Sequence, residues 1–333
     1  MSDPARLKVS VHSSVGHLDG QKQSIIEGLL CEHAFISPKY FYDSIGSRLF
    51  ELITMIPEYY PTRTEQGLMA SHREAIATSV GVVDTLIDLG AGNCHKAREL
   101  FSSIKPKQYL AIDISEDFLE ESLAQMREAF PGIQMRAMAA DLTQPITMDQ
   151  DLLTQRKICF YPGSSIGNFD PDHAIRLLRN FRNLVDNSNS LDSDPPLAVN
   201  GGLLIGVDLV KDDKVLHAAY NDELGITAAF NRNVLTHVNT LITSDFNLAD
   251  WGHDAFFNQA LSRIEMHVYA RRDLVVSWPG GERYFKSGES IHTENSYKYQ
   301  IEIFKEMLLE AGYSEVKFWT DPQKWFAVFF AQA

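Results

Sequence analysis

The sequence predicts an α/β fold, a parallel sheet flanked by helices and interrupted by a second domain. Three observations carry this. From residue 82, short apolar runs alternate with amphipathic stretches; between 211 and 290 the alternation stops; near the C-terminal end it returns. Strand alternating with helix at this spacing means βαβ units and a parallel sheet.

In order, the first 60 residues hold helical segments, "SIIEGLL" and "GSRLFELITMI", and no evident strand. Pro57, Pro61 and the phenols of Tyr40, Tyr42, Tyr59 and Tyr60 interrupt them. "VVDTLIDLG" is a short apolar run ending at glycine, which suits a buried parallel strand. "HKARELFSSI" sets Ala97, Leu100, Phe101 and Ile104 on one helical face, and "QYLAIDIS" reads as the second strand. "EDFLEESLAQMREAF" carries Phe118, Leu119, Leu123 and Met126 at helical spacing, followed by strands "IQMRAMAADL" and "KICFYPGSSIGNF". In "DHAIRLLRNFRNLV", Ile175, Leu178, Phe181 and Val185 point inward. Residues 186–200, including "DPPL", are polar and turn-rich, a surface loop before the fifth strand, "GGLLIGVDLV". "LSRIEMHVYARRDLVVSW" alternates as a β-hairpin would. "SYKYQIEIFKEMLLEAG" reads as a helix, and "YSEVKFWTDPQKWFAVFFAQA" as two strands joined by a proline-containing turn. The insert is expected to pair with the first 60 residues.

The bulk properties remove several function classes. A chain of 333 residues, 44% hydrophobic and 22% charged, is an ordinary globular protein with room for two domains. A net charge of −14, without any Lys/Arg cluster, argues against nucleic acid as partner. No apolar run reaches the roughly 18 residues of a membrane helix, so no membrane partner is expected. The start, "MSDPARLKVSVHSSVGHLDGQKQ", has no apolar signal core, so a cytoplasmic protein is expected. Cys31, Cys94 and Cys159 are odd in number and widely spaced, which disfavours a disulfide framework. There is no C-x-x-C and no H-E-x-x-H, and the "HTE" at His292 lacks the P-C-x-x-C that would make it a zinc motif; no metal is expected.

"LIDLGAGNCHK" is strand, glycine turn and helix, with Gly90 and Gly92 in the turn. Such a turn aims backbone N–H groups and a helix N-terminus at a ligand. A dinucleotide fingerprint would need a glycine where His95 stands, which weighs against a nicotinamide enzyme. Asp88 ends the first strand, Asp113 the second and Asp141 the third, all on the sheet edge where open α/β folds bind ligands. Asp113 can accept from two ribose hydroxyls and Asp141 from an adenine amino group. Ser115 is expected to cap the next helix, with Glu116 and Asp117 at its positive end. Acids after three successive strands suit S-adenosylmethionine (SAM).

Taken together, "FYDSIGSRLFELITMIPEYYPTRTE", "IDLGAGNCHKAREL", "FYPGSSIGNF", "AAYNDELGITAAFNRNVL", "SRIEMHV" and "IHTENSYKY" resemble the histidine-specific Nα-methyltransferases of ergothioneine biosynthesis, over nearly the whole chain from about residue 20. The resemblance implies a Rossmann-like SAM-dependent methyltransferase sheet, 63–205 plus 297–333, and a substrate-binding domain, 8–62 plus 206–296. It implies three methyl transfers to the α-amine of L-histidine, giving hercynine, and a monomer. It places the cofactor against Tyr42, Gly90, Lys96, Asp113 and Asp141. It places the substrate against Tyr59, Gly163, Asn168, Tyr220, Met266, Glu294 and Ser296, with Phe230 lining the pocket. One departure is His292, beside Glu294, where the family leads one to expect Arg.

The chemistry suits these residue types. A neutral imidazole has one N–H donor and one bare acceptor nitrogen. Glu294 and Ser296, two apart in "TENS", point the same way if the segment is extended, one to accept and one to donate. Alternatively, Glu294 caps the helix that follows. The Asn168 amide can donate to the substrate carboxylate and accept from its amine, and the Tyr220 hydroxyl can hold the same carboxylate. Tyr42 and Tyr59 are expected to fold over the sheet edge, Tyr42 toward cofactor and amine and Tyr59 toward the imidazole, while Tyr40 and Tyr60 read as ordinary half-buried aromatics. Tyr42 and Asn168 are the expected catalytic residues; for the proton-accepting base, Tyr42 and a water relay both stand. Competing readings are an indole amino acid as substrate, a non-catalytic SAM-binding protein and a nicotinamide oxidoreductase.

Overall fold

The computed structural model describes residues 14–114, 116–148, 155–186 and 201–333, without the side chains of 14–19 and 116–118. The chain's start, the Ser115 cap with its neighbours Glu116, Asp117 and Phe118, and the "DPPL" loop therefore lie outside the description.

Among the described residues four α-helices come first, α1 (Ser14–Leu30), α2 (Ser44–Met55), α3 (Tyr60–Ser71) and α4 (Arg73–Val80). The alternation follows as β1 (Thr85–Leu89), α5 (His95–Ile104), β2 (Gln108–Asp113), α6 (Glu116–Ala129), β3 (Gln134–Ala139), β4 (Lys157–Tyr161), α7 (Pro171–Val185) and β5 (Gly202–Asp208). Then come α8 (Asp213–Tyr220), α9 (Ile226–Ile242), β6 (Trp251–Asn258), β7 (Arg263–Ala270), β8 (Leu274–Trp278), β9 (Gly281–Phe285) and β10 (Ser290–Tyr297). The chain closes with α10 (Ile301–Glu310), β11 (Ser314–Thr320) and β12 (Phe326–Gln332).

The main sheet runs β11-β12-β5-β4-β1-β2-β3. β1 to β5 pair in parallel, and β12 is antiparallel to both of its neighbours. The apolar runs of β1 and β5 follow from burial on both faces. One face packs Phe181 of α7 and Phe304 of α10 against Phe329; the other packs Ile76, Phe101 and Leu123 against Phe330. In α7, Asp170 accepts from the His173 N–H at 3.0 Å and Pro171 takes the first turn, a well-capped start.

The N-terminal helices and the insert share a third core, which includes Phe41, Tyr60, Phe230, Trp251 and Phe285. Asp43 ties the two segments. Its carboxylate accepts from the Gly46 N–H at 2.6 Å, capping α2, and from the Asn233 amide of α9 at 2.9 Å. At the edge of β10, Ile36 donates to the His292 carbonyl and the His292 N–H to Ala34, both at 2.9 Å. Among the described residues no helix is long and apolar enough to cross a membrane.

Two expectations change. "LSRIEMHVYARRDLVVSW" is not one hairpin: β7 is the centre of a β10-β7-β6 sheet, while β8 pairs with β9 in a separate ribbon. Alternation reveals strands but not partners, because the partner of β7 lies beyond the ribbon. The expected helix "SYKYQIEIF" starts later, at Ile301, because Ser296 and Tyr297 still belong to β10.

Candidate active site

The carboxyl edge of β1 and β2 forms an open cradle. Gly90 and Gly92 have φ of +70° and +51°, the left-handed region that favours glycine. The N–H groups of Gly90 and Ala91 donate to the Ile112 carbonyl, and the Gly92 N–H donates to Asp113 Oδ2 at 2.9 Å. The turn is thus held by the residues that end β2. A Cβ built on Gly92 meets no atom within 4 Å, so this backbone borders open space. Asp141 accepts from the Thr143 hydroxyl at 2.5 Å and from Lys39 at 3.3 Å. Burial pushes its carboxyl up, but the Thr143 bonds and the Lys39 ammonium outweigh that and hold it below the usual value.

Asp88 is placed differently from its partners. It is 2% exposed, and the Tyr109 hydroxyl donates to it at 2.6 Å. Burial pushes its carboxyl up to about 7. Its Oδ1 is buried without a hydrogen-bond partner among the described residues, and it reaches no open surface.

Lys96 and Gly163 meet through an acid that the sequence reading passed over. Glu65, 3% exposed on α3, accepts from Lys96 at 2.6 Å and from the Gly163 N–H at 2.8 Å. Gly163 therefore has its carbonyl, not its N–H, to offer a ligand. Residues Ser165–Asn168 form a 3₁₀ turn that lies against β10. A Cβ on Gly167 would stand 2.9 Å from the Tyr297 carbonyl, so only glycine lets the turn carry Asn168 this close.

On β10 the register slips by one residue. His292 faces His267, and Glu294 faces Met266. Thr293 is the extra residue, its hydroxyl donating to Asn231 at 2.7 Å, within bond distance of the Met266 carbonyl. Because successive residues of a strand alternate faces, the bulge turns His292 and Glu294 to opposite sides. Glu294 lies mid-strand and does not cap α10. His292 lies beside His267, ring centres 4.9 Å apart and tilted by 40°, and its Nε2 meets the Glu294 backbone carbonyl at 3.1 Å, not the carboxylate. Glu265, His267 and His292 bring donor atoms within 4.8 Å of one another on that far side, but Arg263 and Asn258 already occupy Glu265 Oε1.

Glu294 shares its side with an aromatic group. Tyr42 contacts Phe50 and Phe230 at 5.9 and 6.0 Å, Phe50 contacts Tyr59 at 6.2 Å, and Tyr59 contacts Tyr220 at 6.3 Å, each edge to face. Phe230 stacks on Phe41 at 4.6 Å. Burial pushes the Tyr42 hydroxyl well above its ordinary value, helped by the charges of Glu294 and Asp113. Tyr42 thus feels the charges of both the expected substrate acid and the expected cofactor acid. Its phenol stays protonated near neutrality, which makes it a wall and a hydrogen-bonding group but not a resting base. Burial raises the Glu294 carboxyl to about 7, with Lys298 pulling the other way. Among the described residues nothing hydrogen-bonds to its side chain.

Below lies a charged network absent from the sequence reading. Lys298 pairs with Asp208 at 2.8 Å, Lys211 with the same carboxylate at 2.5 Å, and the Tyr60 hydroxyl donates to it at 2.6 Å. Tyr60, expected to be an ordinary half-buried aromatic, is 1% exposed and ties α3 to the end of β5. An open groove of about 590 Å³ between α3 and α5, lined by Arg63, Arg73, His95 and Arg98, includes none of the expected site residues.

The family profile of the SAM-dependent histidine-specific methyltransferases matches residues 21–333. This chain belongs to that family. The methyltransferase is 34% identical to the histidine N-alpha-methyltransferase of Mycolicibacterium smegmatis, covering 90% of this chain and 91% of the relative. It is 31% identical to the protein of that name from Mycobacterium tuberculosis, covering 95% and 96%. It is 29% identical to the ergothioneine biosynthesis protein 1 of Neurospora crassa, over 84% of this chain and 31% of that longer protein. SAM is the methyl donor of this enzyme, and the open glycine turn with Asp113 beneath it fits that cofactor.

Proposed function

We propose that this enzyme transfers three methyl groups to the α-amino nitrogen of L-histidine, giving Nα,Nα,Nα-trimethylhistidine (hercynine), the first step of ergothioneine biosynthesis. The observation that carries this is Glu294, a half-buried carboxylate to which no described residue donates, two residues from the buried Ser296 hydroxyl on the same strand face. Burying a charge unpaired is costly, so the site is built for a ligand that supplies a donor. An imidazole N–H does so, and Ser296 meets the ring's bare nitrogen. Met266, 2% exposed and opposite Glu294 in register, walls the ring with Phe230.

When bound, SAM supplies an electrophilic methyl group: the N–C bond forms as the C–S bond breaks, and sulfur keeps the electron pair. The protein's residues align the amine with the methyl group. Asn168 holds the substrate carboxylate; the Tyr220 hydroxyl, expected to share that role, instead faces Ser296 Oγ at 2.7 Å. Tyr42 flanks the amine and Tyr59 the imidazole, and the Tyr42 ring face still holds the amine once methylation has removed its donors. With the Tyr42 phenol protonated, each amine proton leaves to water. Lys96, Asp113 and Asp141 hold the cofactor.

The test is mass spectrometry of products from SAM and a mixture of all common amino acids. Histidine alone should gain one, two and then three methyl groups. Methylation of another amino acid would overturn the assignment of Glu294 and Ser296, and arrest at one methyl would overturn trimethylation. Gly167→Ala is expected to raise KM for histidine by on the order of tenfold while leaving the SAM-induced rise in Tm in place, since the clash moves Asn168 and not the glycine turn. Steady-state kinetics with thermal unfolding reads both.

A further inference from the structure

Glu294, Ser296 and Lys298 are spaced two apart and share one face, an acid, a hydroxyl and an ammonium in line. The Lys298 side chain is 1% exposed. Its Nζ reaches Asp208 Oδ2 at 2.8 Å, Ser296 Oγ at 2.7 Å and the Tyr220 hydroxyl at 3.0 Å. An ammonium has three hydrogens and no lone pair, so all three contacts are donations and none is left over. Ser296 Oγ must accept from Lys298. The Tyr220 hydroxyl, the stronger acid of the two, donates to Ser296 Oγ at 2.7 Å. Both lone pairs of Ser296 are then used, and the one thing it can present to the pocket is its hydrogen.

We propose that Lys298 is a positioning residue that fixes Ser296 as an obligate donor, so that the site takes only a ring with an N–H toward Glu294 and a bare nitrogen toward Ser296. This rests on the histidine reading above. Glu294 alone would admit any N–H heterocycle, a pyrrole or an indole included. Ser296 alone could turn its hydroxyl to give or to accept. The ammonium beneath removes that freedom and selects one tautomer of the neutral imidazole. Asp208 holds the ammonium in place and keeps Lys211 as a second counter-ion when Lys298 is replaced.

The test is a double-mutant cycle on KM for histidine. Ser296→Ala is expected to raise KM by on the order of tenfold or more, and Lys298→Met by a similar factor, with kcat changing less. The double variant should be no worse than Ser296→Ala to within about twofold, because Lys298 acts through the hydroxyl already removed. The SAM-induced rise in Tm should persist in all three. Effects that multiply in the double variant would overturn the proposal, showing Lys298 to act independently of Ser296. If Lys298→Met does not fold, Lys298→Gln tests the converse: its amide still donates to Ser296, so KM should stay within about threefold of the parent enzyme, and a rise equal to that of Ser296→Ala would overturn the proposal. Should Ser296→Ala leave KM unmoved, the recognition reading itself has failed, a result distinct from multiplying effects.

Discussion

Glu294→Ala is expected to lower kcat/KM for histidine by on the order of 10³- to 10⁴-fold, because a site built to pair a substrate N–H discriminates steeply once the pairing is lost. Steady-state kinetics measures it; a loss below about tenfold would show that Glu294 does not read the ring. The same carboxylate makes a second expectation about pH. Its value is raised from 4.5 to about 7 by burial, so the empty enzyme favours the protonated acid. A raised acid contributes stability that is fully present below the unfolded value and is lost as pH rises through the folded one. At pH 8 the empty site therefore holds an unwelcome charge, and Glu294→Gln should raise Tm there while changing it little at pH 5. An equal effect at both values would contradict the cause given.

Asp208→Ala should produce the largest loss of stability of any single change in the site region. The carboxylate is 1% exposed and neutralises two lysine side chains that are 1% and 2% exposed. Removing one partner leaves buried charge uncompensated, which costs about 3–5 kcal/mol. Burial pushes Asp208 up, yet Lys298 and Lys211 outweigh that and hold its carboxyl below the ordinary value. Burial lowers Lys211 to about 8, so alkaline pH would relieve part of the damage by letting that lysine shed its proton. Urea unfolding at pH 7 and pH 9 checks both the size and its decline.

The parts legible in the sequence are those set by local pattern. Buried parallel strands read as apolar runs, so β1, β4 and β5 were evident from "TLIDL", "KICFY" and "GLLIGVD". The cradle was legible because glycine at positive φ and acids at strand ends are local features. The pairing of β7 with β10 was not, since that partner comes later in the chain, beyond the β8-β9 ribbon. Nor were the roles of Glu65, Asp208 and Lys298. Each is an ordinary charged residue in sequence, and only folding brings Lys298 to an acid on β5 and a hydroxyl on its own strand. His292 shows the converse: its neighbourhood to Glu294 along the chain suggested an interaction that alternation and a one-residue slip prevent.

That slip means the pocket depends on residue count as much as residue type. Downstream of Thr293, Tyr297 is anchored by the hydrogen bond from Arg263 at 2.7 Å; upstream, His292 is anchored by the chain at 34–36. With both ends fixed, deleting Thr293 cannot leave both halves of β10 facing as they do. Either the acid leaves the pocket or the N-terminal segment loses its dock. One spare residue thus lets a single strand serve two clients of opposite parity, the ligand on one side and the chain's own beginning at its edge.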